Sequence, residues 1–341
     1  MDQQVLLILV QDGIVNGALY ALLALCLVLV FAVTRVILIP QGEFVSFAAL
    51  TYATLDTGHV PASLYLLASF GAAAFLRSVW STRGRALVFL AVETLVLPAA
   101  IAALTVWLAP LKPGVVVQAA LAVAIVAPMA PYLYRLAFQP LGEASVLVLL
   151  IAAVGAHLAM TGFGLMIFGP EGARGPAFSD AMFSLGALDV SGQSLWILGL
   201  TSALMAGLYL FFEFTLLGTA LRATAVNRLG ARLVGIRTTQ SGLIAFTLAG
   251  LIGALSGVLI APLTTVYYDG GFLIGLKGFV AAIVGGLASY PLAVLAALAV
   301  GIVESFSSFW ASAFKEVIVF TAIIPVLLWR SLRSGAAGDD E

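Results

Sequence analysis

Charge is what this sequence of 341 residues has least of: Asp, Glu, Lys and Arg together make up 9%, against 62% hydrophobic residues. A soluble domain carries about 25% charged and about 45–50% apolar residues. A globule of this size cannot hide the difference behind a polar shell, so the solvent is lipid. A single cysteine, Cys26, excludes an internal disulfide; inside an apolar run it reads as a small packing residue. The two histidines, His59 and His157, have no His-x-x-x-His partner, so a metal site has no support. His59 falls in a loop and His157 in an apolar helix, both as structural side chains with satisfied ring nitrogens. No G-x-x-x-x-G-K-[ST] phosphate loop surrounds Lys112, Lys277 or Lys315, and no nucleophile–base set stands out. No catalytic residue, cofactor or nucleic-acid partner is therefore assigned to the chain. Energy for any work must come from a gradient or from another chain.

What the sequence does have is long apolar runs, at roughly 5–33, 36–55, 61–76, 86–109, 115–134, 145–168, 193–212, 240–262, 276–306 and 314–330. Spanning the hydrocarbon takes about 20 mostly apolar residues as a helix, and backbone groups in lipid are satisfied only in helices or closed barrels. Barrel strands alternate apolar and polar residues; residues 18–33 do not. The expected fold is all-α, one polytopic transmembrane bundle over 1–341 with about 10–11 helical segments. Gly285-Gly286 and Pro291 interrupt 276–306, which predicts two short helices there. The first run is longer than a signal sequence core and has no Lys or Arg before Arg35, so it reads as a retained helix. Ala249, Gly253 and Gly257, and again Gly271 and Gly275, form small-residue stripes suited to close helix packing.

Basic residues set the expected orientation. Arg222, Arg228, Arg232 and Arg237 occupy the long hydrophilic connection at about 213–239; Arg77, Arg83 and Arg85 crowd a shorter one; Arg330 and Arg333 follow the last run. All three are expected in the cytoplasm. The stretch 169–192 carries Glu171, Arg174, Asp180 and Asp189 without basic excess and is expected outside. Alternation then places the N-terminus outside and the acidic residues 339–341 inside. Intramembrane charges default to functional hypotheses: Glu43 and Glu304 are read either as working or bracing groups inside the bundle or as headgroup-facing acids. Lys277 is read as a snorkelling residue at a helix start near the outer face, and Glu93 is assigned no role.

The segment from Gly218 to Ile236 reads as one short helix ended by Gly235 in a left-handed stop. Leu229, Leu233 and Ile236 form its apolar face, flanked by the i, i+4 pair Arg228 and Arg232. A helix with such a stripe between two membrane helices wants a groove to dock into. The segment resembles the cytoplasmic coupling loop of bacterial ABC importer permeases of the branched-chain amino acid type, the LivH/LivM family, whose pattern is close to G-x-x-x-R-A-x-x-x-N-x-x-A-A-x-x-x-G-I. Gly218, Arg222, Ala223, Asn227, Ala231, Gly235 and Ile236 fall in place, and Gly230 stands where the family usually has alanine. Asn16-Gly17-Ala18-Leu19-Tyr20-Ala21-Leu22 resembles the family's opening N-G-x-x-x-x-x-Y-A-L with a deletion. Gln41-Gly42-Glu43 stands where the family has N-F-A-H-G-E, without its Asn and His. Lys277-Gly278-Phe279 through Gly285-Gly286 and Ser289 is similar to K-A-F-x-A-x-x-x-G-G-x-G-S, Gly301 and Glu304 match G-x-x-E, and Gln139-Pro140-Leu141 resembles R-P-L. The family's later P-x-G-L is missing. Residues 61–110 resemble nothing in the pattern and look like an extra helix pair.

The resemblance implies one permease subunit in the bacterial inner membrane, paired with a second permease subunit, two cytoplasmic ATPases that carry ATP and Mg, and an external solute-binding protein. It implies branched-chain or related hydrophobic amino acids as cargo, with urea, short amides or aromatic carboxylates as the alternatives found among relatives. Arg222, Asn227, Arg228, Leu229, Arg232, Leu233 and Gly235 are the expected coupling residues, with Leu229 and Leu233 buried in the ATPase and Arg228 and Arg232 at the rim. Asn16, Tyr20, Gly42, Glu43, Gly285, Gly286 and Glu304 are the expected pathway or bracing residues. The alternatives are a gradient-driven transporter or channel with Glu43 or Glu304 at its ion site, and an assembly scaffold, which no sequence feature favours.

Overall fold

A computed structural model describes residues 3–80, 83–185, 188–287, 289–322, 324–326 and 328. Ala288, Arg330, Arg333 and residues 339–341 lie outside the described residues. The apolar runs fold as helices α1 (Gln3–Thr34), α2 (Gln41–Asp56), α3 (Ser63–Val79), α4 (Arg85–Ala91) and α5 (Leu97–Leu108), then α6 (Val115–Val126), α7 (Met129–Leu133) and α8 (Val146–Phe168). After a connection at 169–191 come α9 (Gly192–Phe214), α10 (Leu216–Val226), α11 (Arg228–Leu233), α12 (Thr238–Ile260), α13 (Gly270–Val284), α14 (Tyr290–Trp310) and α15 (Lys315–Thr321). A π turn at Val92–Val96 joins α4 to α5, and another at Tyr134–Phe138 extends α7. Seven of the described helical runs are long and apolar enough to cross a membrane: α1, α4–α5, α6–α7, α8, α9, α12 and α14. The all-α bundle is as expected, apart from one antiparallel hairpin, β1 (Met182–Leu185) and β2 (Leu188–Ser191), in the polar connection. The expected break in 276–306 is present, with Gly286 at φ +81° between α13 and α14.

Helix α1 is the axis of the packing. It runs antiparallel to α14, with Gly13 against Ile302, Gly17 against Leu298, and Gly301 returning between Gly13 and Gly17. A Cβ on Gly301 would lie 2.3 Å from the Gly13 carbonyl oxygen and 2.4 Å from the Gly17 nitrogen, so the backbones touch. Lipid tails are as apolar as leucine, so helix association draws on such close contact rather than on expulsion of water. The small-residue stripes do the same work around α2. Gly253 and Gly257 of α12 meet Gln41, Phe44 and Val45, and Gly271 of α13 meets the Gly42 backbone. Cys26 is fully buried in this packing, as its setting predicts.

Helix α2 has 16 residues, about 24 Å at 1.5 Å per residue, too short for a hydrocarbon core of about 30 Å. It starts level with Ala249, near the middle of α12, because residues 35–40 turn back into the bundle after α1. The connections sort to two ends. One end holds the 139–145 turn, α10, α11 and the start of α14: Arg228 bonds Gly142, and Phe212 stacks on Tyr290 with centroids 6.0 Å apart. At the other end Ala173 bridges Val266, Arg174 donates to the Pro262 carbonyl at 2.8 Å, and Gln11 reaches the Asp189 carbonyl at 3.4 Å.

The α1–α14 contact makes a quantitative expectation. Gly301→Ala inserts a methyl into backbone, where overpacking costs about 1–3 kcal/mol. Gly207→Ala on α9 meets open space and removes the glycine penalty of about 0.5–1 kcal/mol in a helix. Thermal unfolding in detergent should place Gly301→Ala below the parent and Gly207→Ala at or above it; equal midpoints would show that α1 and α14 are not in backbone contact.

Candidate functional site

The segment read from sequence as one helix is two. Helix α10 ends at Val226, and Asn227, extended at φ −149° and ψ 102°, starts α11 by accepting the Gly230 amide on Oδ1 at 2.8 Å. An asparagine at this position competes with the helix ladder and then supplies the next N-cap. The stop at Gly235 is as expected: φ is +88°, and Ile236 N donates to Ala231 O at 2.9 Å while Gly235 N donates to Arg232 O at 3.0 Å. The element is fastened to the bundle by Leu221, packed with Leu29, Val33 and Ala245, and by the Thr224–Ser241 hydroxyl contact at 3.1 Å. Its far side is open. Leu229 is 68% exposed and Leu233 80%, at a polar end of the molecule.

The arginines of this element have partners within the chain. Arg228 donates from Nη1 to the Gly142 carbonyl at 2.9 Å, Arg232 bonds both Glu143 and Thr238, and Arg222 pairs with Glu213 at 2.8 Å. The Arg232 guanidinium holds the Glu143 carboxyl below the usual carboxylate range. Arg228 and Arg232 are thus engaged within the chain, tying α11 to the turn before α8.

Two polar clusters lie inside the bundle. In the first, Glu304 on α14 accepts the Tyr20 hydroxyl at 2.5 Å on one oxygen and Lys277 Nζ at 2.5 Å on the other. Lys277 also donates to Glu316 at 3.1 Å, and its ammonium stands 5.7 Å from the centre of the Tyr20 ring. Lys277 is 5% exposed and Glu304 7%. The snorkelling reading of Lys277 is therefore wrong: α13 starts seven residues earlier, at Gly270, which carries the lysine into mid-helix. The headgroup-facing option for Glu304 falls with it. A charge of either sign here is tolerable only because its partner is within hydrogen-bond distance.

The second cluster surrounds the start of α2. Glu43, 1% exposed, pairs through Oε1 with His157 Nδ1 at 2.6 Å, and the His157 ring stacks on Phe272 with centroids 4.6 Å apart. Gln41 donates to the Ala249 carbonyl at 3.2 Å. Glu43 Oε2, Gln41 Oε1 and Ser46 Oγ are buried without a hydrogen-bond partner. Unpaired buried acceptors normally demand explanation, and three fall within six residues at this helix start. His157 is a satisfied histidine, as expected, and its partner is an acid more than a hundred residues away.

The profile of the family described as the branched-chain amino acid transport system permease component matches residues 9–327. The chain belongs to this family. It is 30% identical over 203 residues to the high-affinity branched-chain amino acid transport system permease protein LivH of Escherichia coli, covering 57% of this chain and 65% of that one. The LivH protein of Salmonella typhimurium is 29% identical over the same shares. The corresponding permease protein BraD of Pseudomonas aeruginosa is 30% identical, over 58% of this chain and 66% of its own. The chain thus spans just under two thirds of the length of these curated relatives. No solved structure matches.

Within this permease family member, the residues singled out from sequence separate into groups. Tyr20 and Glu304 meet directly, and Asn16 joins Glu304 along one cavity. Gly42 belongs to the Glu43 helix start but serves a backbone contact: its Cβ would lie 2.1 Å from Gly271 O. Gly285 packs on Ala293 and Gly286 turns the chain, so both shape the α13–α14 break rather than join either cluster. Sequence reasoning missed Lys277, Glu316, Gln41 and Glu143. Only Lys277 gave a usable signal, as an intramembrane charge in want of a counter-ion. Glu93 also has a partner, Arg135 at 2.6 Å, which ties the unmatched 61–110 region to the π turn after α7.

In the first cluster one ammonium faces two carboxylates, which makes the two obvious substitutions unequal. Lys277→Met leaves Glu304 without a cation and Glu316 with only Lys315 at 3.9 Å, and breaking a buried pair this way costs about 3–5 kcal/mol. Glu304→Gln leaves Lys277 with Glu316 and still offers Tyr20 an acceptor, so it should be the milder change. Yield of monodisperse protein and its unfolding midpoint report the order; Glu304→Gln falling lower than Lys277→Met would contradict the assigned network.

Proposed function

We propose that this chain is the membrane-spanning subunit of an ATP-binding-cassette importer for branched-chain or related hydrophobic amino acids. The observation that carries the reading is the exposed apolar face of α11. Leu229 and Leu233 stand in the open at a polar end, on an element otherwise bolted down by Leu221, Asn227, Arg228 and Arg232. The sequence holds no phosphate loop of its own. A rigid, partly apolar knob on a chain without a nucleotide site fits the groove of a separate ATPase subunit, which would supply ATP and Mg. On this reading a second permease subunit completes the pathway, two ATPases act from the cytoplasm and an external solute-binding protein delivers cargo. Alternating access follows if the ATPase groove holds α11 differently in its two states, since a ligand shifts an equilibrium only by its differential affinity.

The charge at the two ends of the fold supports an orientation. Arg35, Arg77, Arg83, Arg85, Arg222, Arg228, Arg232 and Arg237 gather at or near the end that bears α11. Glu171, Asp180, Asp189 and Asp269 gather at the other. Basic connections are cytoplasmic as a rule, and on this reading α11 is inside, the N-terminus outside and the C-terminus inside, in a bacterial inner membrane. A cysteine at Val226, 86% exposed, in a Cys26→Ala background should resist an impermeant thiol reagent on intact cells and react after lysis. Ready labelling from outside would reverse the orientation.

Burial of one leucine in the ATPase groove is worth about 1.5–3 kcal/mol, roughly a ten- to hundredfold change in association. Leu233→Asp should therefore abolish co-purification of the ATPase or cargo-stimulated ATP hydrolysis. Arg222→Ala, at an exposed pair worth about 0–1 kcal/mol, should retain most of both. Full stimulated hydrolysis and uptake in the Leu233→Asp variant would remove α11 as the coupling element and move the gradient-driven reading, with the buried Glu43–His157 pair as its ion site, ahead.

A further inference from the structure

A cavity of about 370 Å³ opens between the first half of α1, the end of α14 and α15. Its walls carry both signs of charge. Asp12 contributes from α1 and Lys315 from the start of α15, with Glu304 between them. Asp12 makes no ion pair among the described residues, and Lys315 has only its chain neighbour Glu316 at 3.9 Å. An acid and a base that line one small cavity without reaching each other leave a gap with an anionic and a cationic side. Asn16, Ser305 and Ser308 add neutral donors and acceptors, while Leu9, Leu263 and Phe309 supply an apolar wall.

We infer that this cavity is a binding site for the zwitterionic backbone of an amino acid with an apolar side chain, on the permease itself. The α-ammonium is placed toward Asp12 and Glu304. The α-carboxylate is placed toward Lys315 and the serine hydroxyls. The aliphatic side chain lies against Leu263 and Phe309. Glu304 is 7% exposed and already held on both oxygens by Tyr20 and Lys277, so it is a fixed polar floor whose charge Lys277 balances, and Asp12 is the unpaired anionic group of the cavity. Binding pockets of this type combine apolar lining with a few convergent polar groups. Leu263 belongs to the 261–269 connection, so the cavity opens at the acidic end, where cargo arrives on the orientation proposed above. The inference rests on the amino-acid reading of the cargo and extends it to a site in this subunit.

The test uses the transporter purified from membranes into nanodiscs, without added solute-binding protein. Binding of labelled L-leucine is measured beside 4-methylpentanoate, which lacks the ammonium, and 3-methylbutylamine, which lacks the carboxylate. Losing one charge-assisted contact should weaken leucine about tenfold in both Asp12→Asn and Lys315→Gln. Asp12→Asn should leave 4-methylpentanoate binding unchanged, Lys315→Gln should leave 3-methylbutylamine unchanged, and Asp12→Glu should recover leucine. A fold defect would depress all three ligands together and is not rescued by the conservative change. No leucine binding to the parent at millimolar concentration, or equal leucine binding in both charge variants, overturns the site. Uptake in cells separates this from the wider reading. Branched-chain amino acid uptake unaltered in both variants overturns the site and leaves the transport reading standing. Leucine binding with the predicted variant pattern, in a system that imports none of these amino acids, keeps the site and overturns the cargo.

Discussion

A helix that begins in the middle of a bilayer has first-turn amides with no intrahelical partner and no water to supply one. The start of α2 is such a place, and the packing around it exists to make it tolerable. It is enclosed on one side by α12, whose Gly253 and Gly257 let Gln41 and Val45 approach, and on the other by α13, whose Gly271 lies on the Gly42 backbone. The enclosure removes lipid from the broken backbone. The same enclosure allows Glu43 to be an acid at this depth, because His157 can be brought to 2.6 Å. Were Gly42 or Gly271 larger, α2 and α13 would separate, and both the exposed amides and the carboxylate would face hydrocarbon.

The Lys277 cluster solves a related problem differently. Around Glu43 one acid has one histidine; around Lys277 one cation serves two acids, and Tyr20 donates to the second oxygen of Glu304, while Glu43 and Glu316 each retain an unpaired oxygen. Its members come from α1, α13, α14 and the start of α15, so the network stitches together the helices on either side of the Gly285–Gly286 break. That break frees backbone groups in the bundle, and a tie between the short α13 and the span-length α14 keeps the two from acting as independent rods. The cost of burying the charges makes such a network a poor source of net stability.

Much of this was legible in the sequence, for reasons that differ element by element. The apolar runs and the Gly-Gly interruption predict helices and a break because lipid admits few alternatives. The Gly235 stop is legible because left-handed backbone has few takers, and the 218–236 segment because its Gly, Arg and Asn positions resemble a family pattern. The partners of the charges were not legible. Lys277 and Glu304 are 27 positions apart, Tyr20 and Glu304 are 284, and His157 and Glu43 are 114. No periodicity links such positions. Lys277 was misread because apolar content places the start of a run at 276, whereas the helix begins at Gly270 among glycines that hydropathy scores as weak. The single helix drawn over 218–236 became two because Asn227 caps the second, a choice that depends on the turn in three dimensions.

Helix α8 shows how these pieces come together. Its buried residues are sparse, Leu149, Ala153, Met160 and Gly164 in 23 residues, and in lipid an apolar face gives little direction to a helix. What positions α8 is polar. At mid-depth His157 holds it to Glu43 and thereby to the start of α2. At its beginning the Ser145 cap follows directly on Gly142 and Glu143, which receive Arg228 and Arg232 from α11. A helix with little apolar grip and two polar fastenings takes its place from those fastenings. One lies on the element that presents Leu229 and Leu233 outward, and the other on the enclosed helix start where three acceptors remain unpaired. The exposed end and the buried centre of the molecule are therefore joined through α8, where Leu149, Ala153 and Met160 enter the core and the two polar fastenings add to that packing.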